Sequence, residues 1–505
     1  MKLIPTPKLL ILLIFVWLTR VAGAATPSLL WGSHGEAYDP VGRLPDVSFA
    51  GYACGDRPIP CPPVTSNVRD FGAKGDGVTD DSAAFLAAIA KTKQGAIAVP
   101  PGRYRITKLL EINRSGVVLR GAGPERSVLV CPLPLEEIRP NMGANSNGRV
   151  TSEYSWSGGI VSFHGENPGG DIGSVTLAAK RGDRELIVDE NLSGLSSGSW
   201  IEITVNDDHE KSLVAFLYSG DLADTQKIKA SKLSTSFVTR IKSVKKNRVV
   251  IERPLRFDLR PEWKPRVRHY QPTVTESGIE NLGFEFPARK YGGHFTELGF
   301  NAVTFDGVAH CWARNLLVTN ADSAIFVNGS FCTIDGLRCQ LRGATELEDA
   351  FGHHGVSLTG NDNLLTHFEM NQRFLHDFTV SRGAGNVFSA GKGIDICLDH
   401  HKYAPFDNVF TDIDLGIGSR MWNHGGGSQL GKPCAARGTF WNIRAIQPQS
   451  YPANFGPWSM NLVGIQTQNP SVTQPNGLWF EAIAPSRLHP TNIHEAQLMN
   501  RLDTK

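Results

Sequence analysis

The chain has 505 residues, 41% of them hydrophobic, with 51 basic against 49 acidic side chains and a formal net charge of +2. Near-neutrality excludes the dense basic footprint of a nucleic-acid binder, so affinity for an anionic partner has to come from local charge. Eight cysteines are too few for a disulfide scaffold, while 52 glycines suit many short elements joined by turns.

Residues 1–24 read as an export signal. Lys2 and Lys8 precede the apolar run 9–18, and Ala22, Gly23 and Ala24 supply small residues for cleavage. The expected destination is secreted or periplasmic, oxidising enough for Cys54 and Cys61 to pair or to stay free. No later stretch reaches membrane length, so no membrane partner is expected after cleavage. Residues 25–64 carry Trp31, Tyr38, Tyr52 and scattered prolines, and read as an extended arm laid across the body by its aromatics.

In residues 65–171, Val68 to Phe71 reads as a short strand, and Gly72, Gly75 and Gly77 as a tight loop. Asp80 or Asp81 then stands at the N-cap of a helix over 80–91, with Phe85, Leu86 and Ile89 as its apolar face. Strands follow over 96–106 and 116–123. One short amphipathic helix leading into successive strands suggests a lid on a strand stack. Asp76, Asp80 and Asp81 lack the spacing of a known calcium loop and suit turn and capping roles.

The run DFGAKGDGVTDD (70–81), followed by VPPGRYRI (99–106) and VVLRGAG (117–123), resembles the opening module of the pectate-lyase-like superfamily, pectate lyase 3 type. The resemblance implies an all-β fold: a right-handed parallel β-helix, or solenoid, with a short N-terminal capping helix. It implies less about activity, because lyases, glycoside hydrolases and phage tailspikes share such modules.

Residues 172–256 alternate like antiparallel strands and read as an inserted β-rich block. Residues 257–485 read as the main β-helix with its groove, and 486–505 as a C-terminal tail. Six segments of the main part share one pattern: an apolar residue, then two places on Asn281, Asn315, Gly336, Asp377, Asp412 or Asn442 at a recurring bend. Cys311 and Cys332 each lie four residues before such a bend, which predicts that they neighbour one another on adjacent coils, bonded or as stacked thiols.

Seven of the 15 histidines fall between Glu346 and Arg444, among Asp, Arg and Gly. That mixture suits proton transfer and anion binding better than a solvated face does. Three clusters are expected to line the groove: Asp349 with His353 and His354; Lys392, Asp395, Asp399, His400 and His401; and Arg420, Trp422 and His424. His354, Lys392, Asp395, Asp399, His400 and Arg420 are the catalytic candidates. Asp349, His353, Arg382, His401, Tyr403, Trp422, His424 and Arg437 are the substrate-binding ones. A metal is left unassigned. The paired histidines His353, His354, His400 and His401 allow a zinc or calcium-adjacent site without recognisable ligand spacing, and calcium is the one cofactor the reading keeps open.

Two mechanisms compete. β-Elimination from a uronate needs a cation to neutralise the carboxylate and a base at C5, which the histidines and arginines offer. Hydrolysis needs two carboxylates, for which Asp349, Asp395 and Asp399 stand. The excess of cations and histidines favours a secreted lyase acting on an acidic polysaccharide, with a hydrolase second and a non-catalytic carbohydrate-binding or surface protein third.

Overall fold

A computed structural model describes residues 24–145, 147–189, 192, 194–229, 232–343, 350–450, 452–467 and 477–504. The expected export signal lies, but for Ala24, outside them.

Strands of three to nine residues stack in parallel in two sheets, one of 16 strands and one of seven. The seven-stranded sheet runs Leu110–Ile112, Val161–His164, Asn301–Ala309, Ser323–Ser330, His354–Leu358, His376–Val380 and Leu398–His400. Alternate side chains of both sheets meet in one long core that includes Phe163, Phe305, Phe378, Phe388, Phe410 and Phe440. This is a parallel β-helix.

The larger sheet turns a corner on each coil at one residue in left-handed conformation. Asn281, Asn315, Gly336, His367, Ala390, Asp412, Asn442 and Gly464 stack in register with φ between 51° and 77°. Five of the six expected bends therefore fall in this column. Asp377 does not: its strand, His376–Val380, belongs to the seven-stranded sheet. The three coils that were not expected bend at His367, Ala390 and Gly464, and of these alanine is the residue type least suited to positive φ. A second ladder runs inside the turns. Asn363 Nδ2 donates to Asn386 Oδ1 at 3.0 Å, and Asn386 Nδ2 to Asn408 Oδ1 at 3.1 Å, so each buried amide ties its coil to the next. The Thr333 N–H donates to the Cys311 carbonyl at 3.0 Å, which places Cys311 and Cys332 on adjacent coils as expected; both thiols are free. Cys54 and Cys61 are free as well, one buried and one exposed.

The opening strand is Val64–Asn67, four residues earlier than expected, and Val68–Phe71 forms a 3-10 turn. The helix Ser82–Lys91 packs Ala84, Phe85, Ala88 and Ile89 on the first coil. Asp80 Oδ1 accepts from the Ser82 N–H at 3.0 Å, whereas Asp81 staples the preceding loop through the N–H groups of Lys74 (2.6 Å) and Gly75 (3.0 Å).

An antiparallel six-stranded sheet over Asp171–His269 interrupts the coils and carries its own core around Ile203, Phe237, Phe257 and Trp263. Buried ion pairs pin it to the helix: Asp362 accepts from Arg253 at 2.9 Å and from Arg256 at 2.6 Å. The N-terminal arm pairs Thr26–Pro27 with Leu488–His489, packs Trp31, Leu44 and Val47 on Val409, Trp441 and Val463, and reaches Trp312 through Tyr52 at 5.3 Å. The tail expected over 486–505 is instead a structured element. Helix Ile493–Asp503 is capped by Asn492, and buries Ile493 and Gln497 beneath the arm, where Gln497 Nε2 donates to the Pro45 carbonyl at 2.9 Å.

Candidate active site

Strand alternation on the seven-stranded sheet sends Val356, Phe378 and Leu398 inward and stacks Ser357, Thr379 and Asp399 on its outer side, beside His354 paired with His376. His353 precedes one of these strands and His401 follows another. The loop between Glu285 and Asn301 adds His294 and Glu297, and the turn after Met421 adds His424 and Gly425.

Five imidazoles meet here. Ring centroids lie 4.6 Å apart for His294 and His353, 4.1 Å for His353 and His354, 5.2 Å for His354 and His376, and 5.1 Å for His376 and His401. Asp399 is their anchor. It is fully buried, and its Oδ2 accepts from His401 Nδ1 at 2.8 Å and from Thr379 Oγ1 at 3.1 Å, with His376 Nδ1 at 3.3 Å. Its Oδ1 accepts from the Gly425 N–H at 2.6 Å. Thr379 passes the contact on, since His354 Nδ1 lies 3.1 Å from its hydroxyl. Gly425 has to be glycine: a Cβ there would lie 2.2 Å from His401 Cε1 and 2.8 Å from His376 Cε1.

Charge divides the cluster. Burial pulls His353 and His354 well below the ordinary imidazole value, lowers His376 against the pull of Asp399, and takes His294 to about 4. His401 goes the other way: burial opposes its charge, but the Asp399 carboxylate wins and raises it. Burial likewise opposes ionisation of Asp399, yet His376, His401 and the Gly425 N–H hold it far below the usual carboxylate range. His401 remains 31% exposed and His424 is exposed, so this polar pair opens to solvent.

The expected candidates separate on inspection. His353, His354, Asp399, His401 and His424 converge. His400 does not, because alternation turns it into the core among Phe410, Phe440 and Phe455, with Nδ1 on the Leu398 carbonyl at 3.1 Å. Asp395 and Arg420 are structural: Asp395 accepts from Ser419 N–H (2.8 Å) and Oγ (2.6 Å), and Arg420 bonds Asp377 at 2.6 Å. Arg437 lies buried on Asp407 at 2.6 Å, far along the seam with the inserted sheet, and Trp422 packs edge-on against Phe440 and Phe455 rather than forming a platform. Arg382 stacks on Tyr403 at 4.3 Å, in the turns that follow the site strands. Lys392 sits on the other sheet, 3.7 Å from Glu369, in an open cleft of about 520 Å³ with Arg338, His367 and Arg444. Each cation of that cleft is answered by a carboxylate, Arg338 by Glu125, Lys392 by Glu369 and Arg444 by Asp412, and His367 Nδ1 lies on Asp335 at 2.8 Å. Asp349 lies outside the described residues.

His294, Glu297, His376 and Thr379 were not among the site candidates, although His376 belongs to the histidine-rich stretch. The Gly292-Gly293-His294 run was the one sequence signal available for the first, since the glycine–histidine pairing of the other clusters recurs there. Among the described residues, two groups of three could hold a metal: His294, His353 and His376, and His376, Asp399 and His401. Neither offers the six to eight oxygens that suit calcium.

A family model described as Rhamnogalacturonase A/epimerase, pectate lyase-like, matches residues 65–131, the segment that carries the strand, loop and capping helix. Over this segment the chain is similar to the pectate-lyase-like superfamily. Among curated proteins, Alginate lyase 7 of Azotobacter vinelandii is 34% identical over 115 residues, covering 21% of this chain and 13% of the relative. Mannuronan C5-epimerase AlgE6 of the same organism is 42% identical over 72 residues, 12% of this chain and 8% of the relative. The chain thus spans only a small share of either relative's length. Among solved structures, the tailspike gp49 from Pseudomonas phage LKA1 aligns with a TM-score of 0.44 at 11% identity, over 75% of this chain and 64% of that one.

Proposed function

We propose that this chain acts on a uronate-containing polysaccharide, removing the proton from C5, the carbon beside the uronate carboxylate, with β-elimination of the neighbouring glycosidic bond. One observation carries the reading: a buried, ionised Asp399 holds Nδ1 of a part-exposed His401 at 2.8 Å. With Nδ1–H donated to the carboxylate, Nε2 keeps its lone pair toward solvent, and the carboxylate strengthens it as a base. His401 would take the C5 proton as the C4–O bond breaks, and His424, next to the glycine that covers His401, would protonate the leaving oxygen.

Hydrolysis by paired aspartates finds less support. It needs one carboxyl held protonated, whereas Asp399 is held ionised and both oxygens of Asp395 are occupied. The names of the relatives support a uronate substrate, and C5 proton removal begins both elimination and C5 epimerisation. With its export signal, the protein would meet this polymer outside the cytoplasm.

A panel of polyuronates in deuterated water separates the outcomes. Unsaturated uronate ends support elimination, and deuterium at C5 without chain cleavage supports epimerisation. Reducing ends without unsaturation would mean hydrolysis, and an unchanged panel would overturn the proposal.

A further inference from the structure

We propose that His294, His353 and His376 bind one divalent transition-metal ion of the zinc class, with an open coordination position facing the mouth. One ring nitrogen from each comes within 4.8 Å of the others. A tetrahedral ion with nitrogen bonds near 2.1 Å needs ligand atoms about 3.4 Å apart, so closing the site takes roughly an ångström of side-chain movement.

The second observation is what the buried rings lack. His353 and His376 are only 2% and 8% exposed, yet neither nitrogen of either ring makes a hydrogen bond. Apart from the 3.3 Å approach of Asp399 to His376 Nδ1, these buried imidazole nitrogens stand without a hydrogen-bond partner, which is uncommon in a protein interior, and an ion fits one nitrogen of each ring. Behind each ring stands a carboxylate: Glu297 Oε2 lies 3.8 Å from His353 Nδ1, and Asp399 Oδ2 3.3 Å from His376 Nδ1. Carboxylates in that position orient metal-binding imidazoles and leave Nε2 for the ion. Glu297 is itself held by the Ser155 hydroxyl at 3.1 Å and by Tyr291, so the support reaches back to the residues between the first coils.

The third ligand differs. His294 is exposed, follows Gly292 and Gly293, and stacks on Phe295 at 3.6 Å, so it closes the site from the solvent side without sealing it. Three imidazoles and one free position match a site that binds an exchangeable ligand rather than a purely structural one. An all-nitrogen set selects the zinc class over calcium or magnesium. The uronate carboxylate would occupy the open position, where the ion neutralises the charge that opposes C5 deprotonation. That role rests on the proposed reaction; binding of the ion does not.

The test uses the full chain, stripped with a chelator, then titrated with Zn²⁺ by calorimetry and with Co²⁺ by visible absorption. The expected result is one ion per chain with a cobalt spectrum typical of imidazole ligands. His294→Ala, at an exposed position that leaves circular dichroism unchanged, should weaken binding at least tenfold, and Glu297→Gln should weaken it less. His401→Ala should bind the ion normally. Absence of stoichiometric binding, or binding unaltered in His294→Ala, overturns the inference. Ion binding without turnover of any polyuronate would leave this inference standing and remove the proposed reaction. Full elimination by a stripped chain would uphold the reaction and remove the ion's part in it, while the titration alone decides whether the ion binds.

Discussion

Asp395 and Asp399 lie four residues apart, both buried, and they do opposite things. Asp395 sits in a saturated clamp, where Ser419 occupies its two oxygens at 2.8 and 2.6 Å and Arg420 reaches its main-chain carbonyl at 2.6 Å. Arg420 also bonds Asp377 and the Phe374 carbonyl, and Asp377 accepts from the N–H groups of Phe374 and Cys397, both at 2.9 Å. Asp399 is equally well bonded, but its partners are imidazoles with a second nitrogen still available. Residue type alone therefore does not mark the chemistry. The unoccupied atoms one bond further out do.

The comparison can be broken or sharpened in four ways. His401→Ala should lower turnover on the active polyuronate by about 10²- to 10⁴-fold, with thermal stability nearly unchanged; equal losses in both would merge the two regions into one structural network. Asp377→Ala should do the converse. It leaves the partly buried Arg420 guanidinium without its 2.6 Å carboxylate, with Asp395 still 3.5 Å away, which costs up to about 3 kcal/mol by denaturant unfolding. The third measurement is stability against pH. Burial among three phenylalanines holds His400 neutral and lowers its value to about 4, so the unfolded chain binds the proton more readily below pH 6.5. Its contribution is complete above that pH and is lost as pH falls towards 4, at most about 3 kcal/mol. His400→Phe should flatten that part of the profile and keep activity, in contrast to its neighbour His401. Gly425→Ala should cost about 1–3 kcal/mol of stability, because its Cβ would meet His401. Its turnover should fall about tenfold as the imidazole is pushed off Asp399; an unchanged rate would mean that this contact does not orient the base.

Much of the fold was legible because a solenoid repeats its instructions. Asn281, Asn315, Gly336, Asp412 and Asn442 announce the corner of each coil, since these residue types tolerate the left-handed conformation. His367 and Ala390 hid two coils by taking the same conformation without the same chemistry, and Asp377 mimicked a corner while serving as a clamp. The site was legible in part for a related reason. The density of histidine drew attention to the right coils, but a strand of three residues, Leu398–His400, decides which side chain faces out. Asp399 and His400 differ by one position and so lie on opposite faces. His294 and Glu297 come from a loop whose docking no local pattern encodes.

The arm has a further meaning for how the molecule assembles. A solenoid ordinarily folds from either end and frays from either end, because each coil knows only its neighbours. Here Thr26 and Pro27 of the arm pair with Leu488 and His489, while Tyr52 rests on Trp312 and Trp31 on the last coils. During synthesis the arm emerges before the coils it packs on, and finds its surface only after residues 409–493 have been made. The strap then links the coil that is oldest to the coil that is newest, so opening one end loosens the other, and a stack of separable units melts as a single unit.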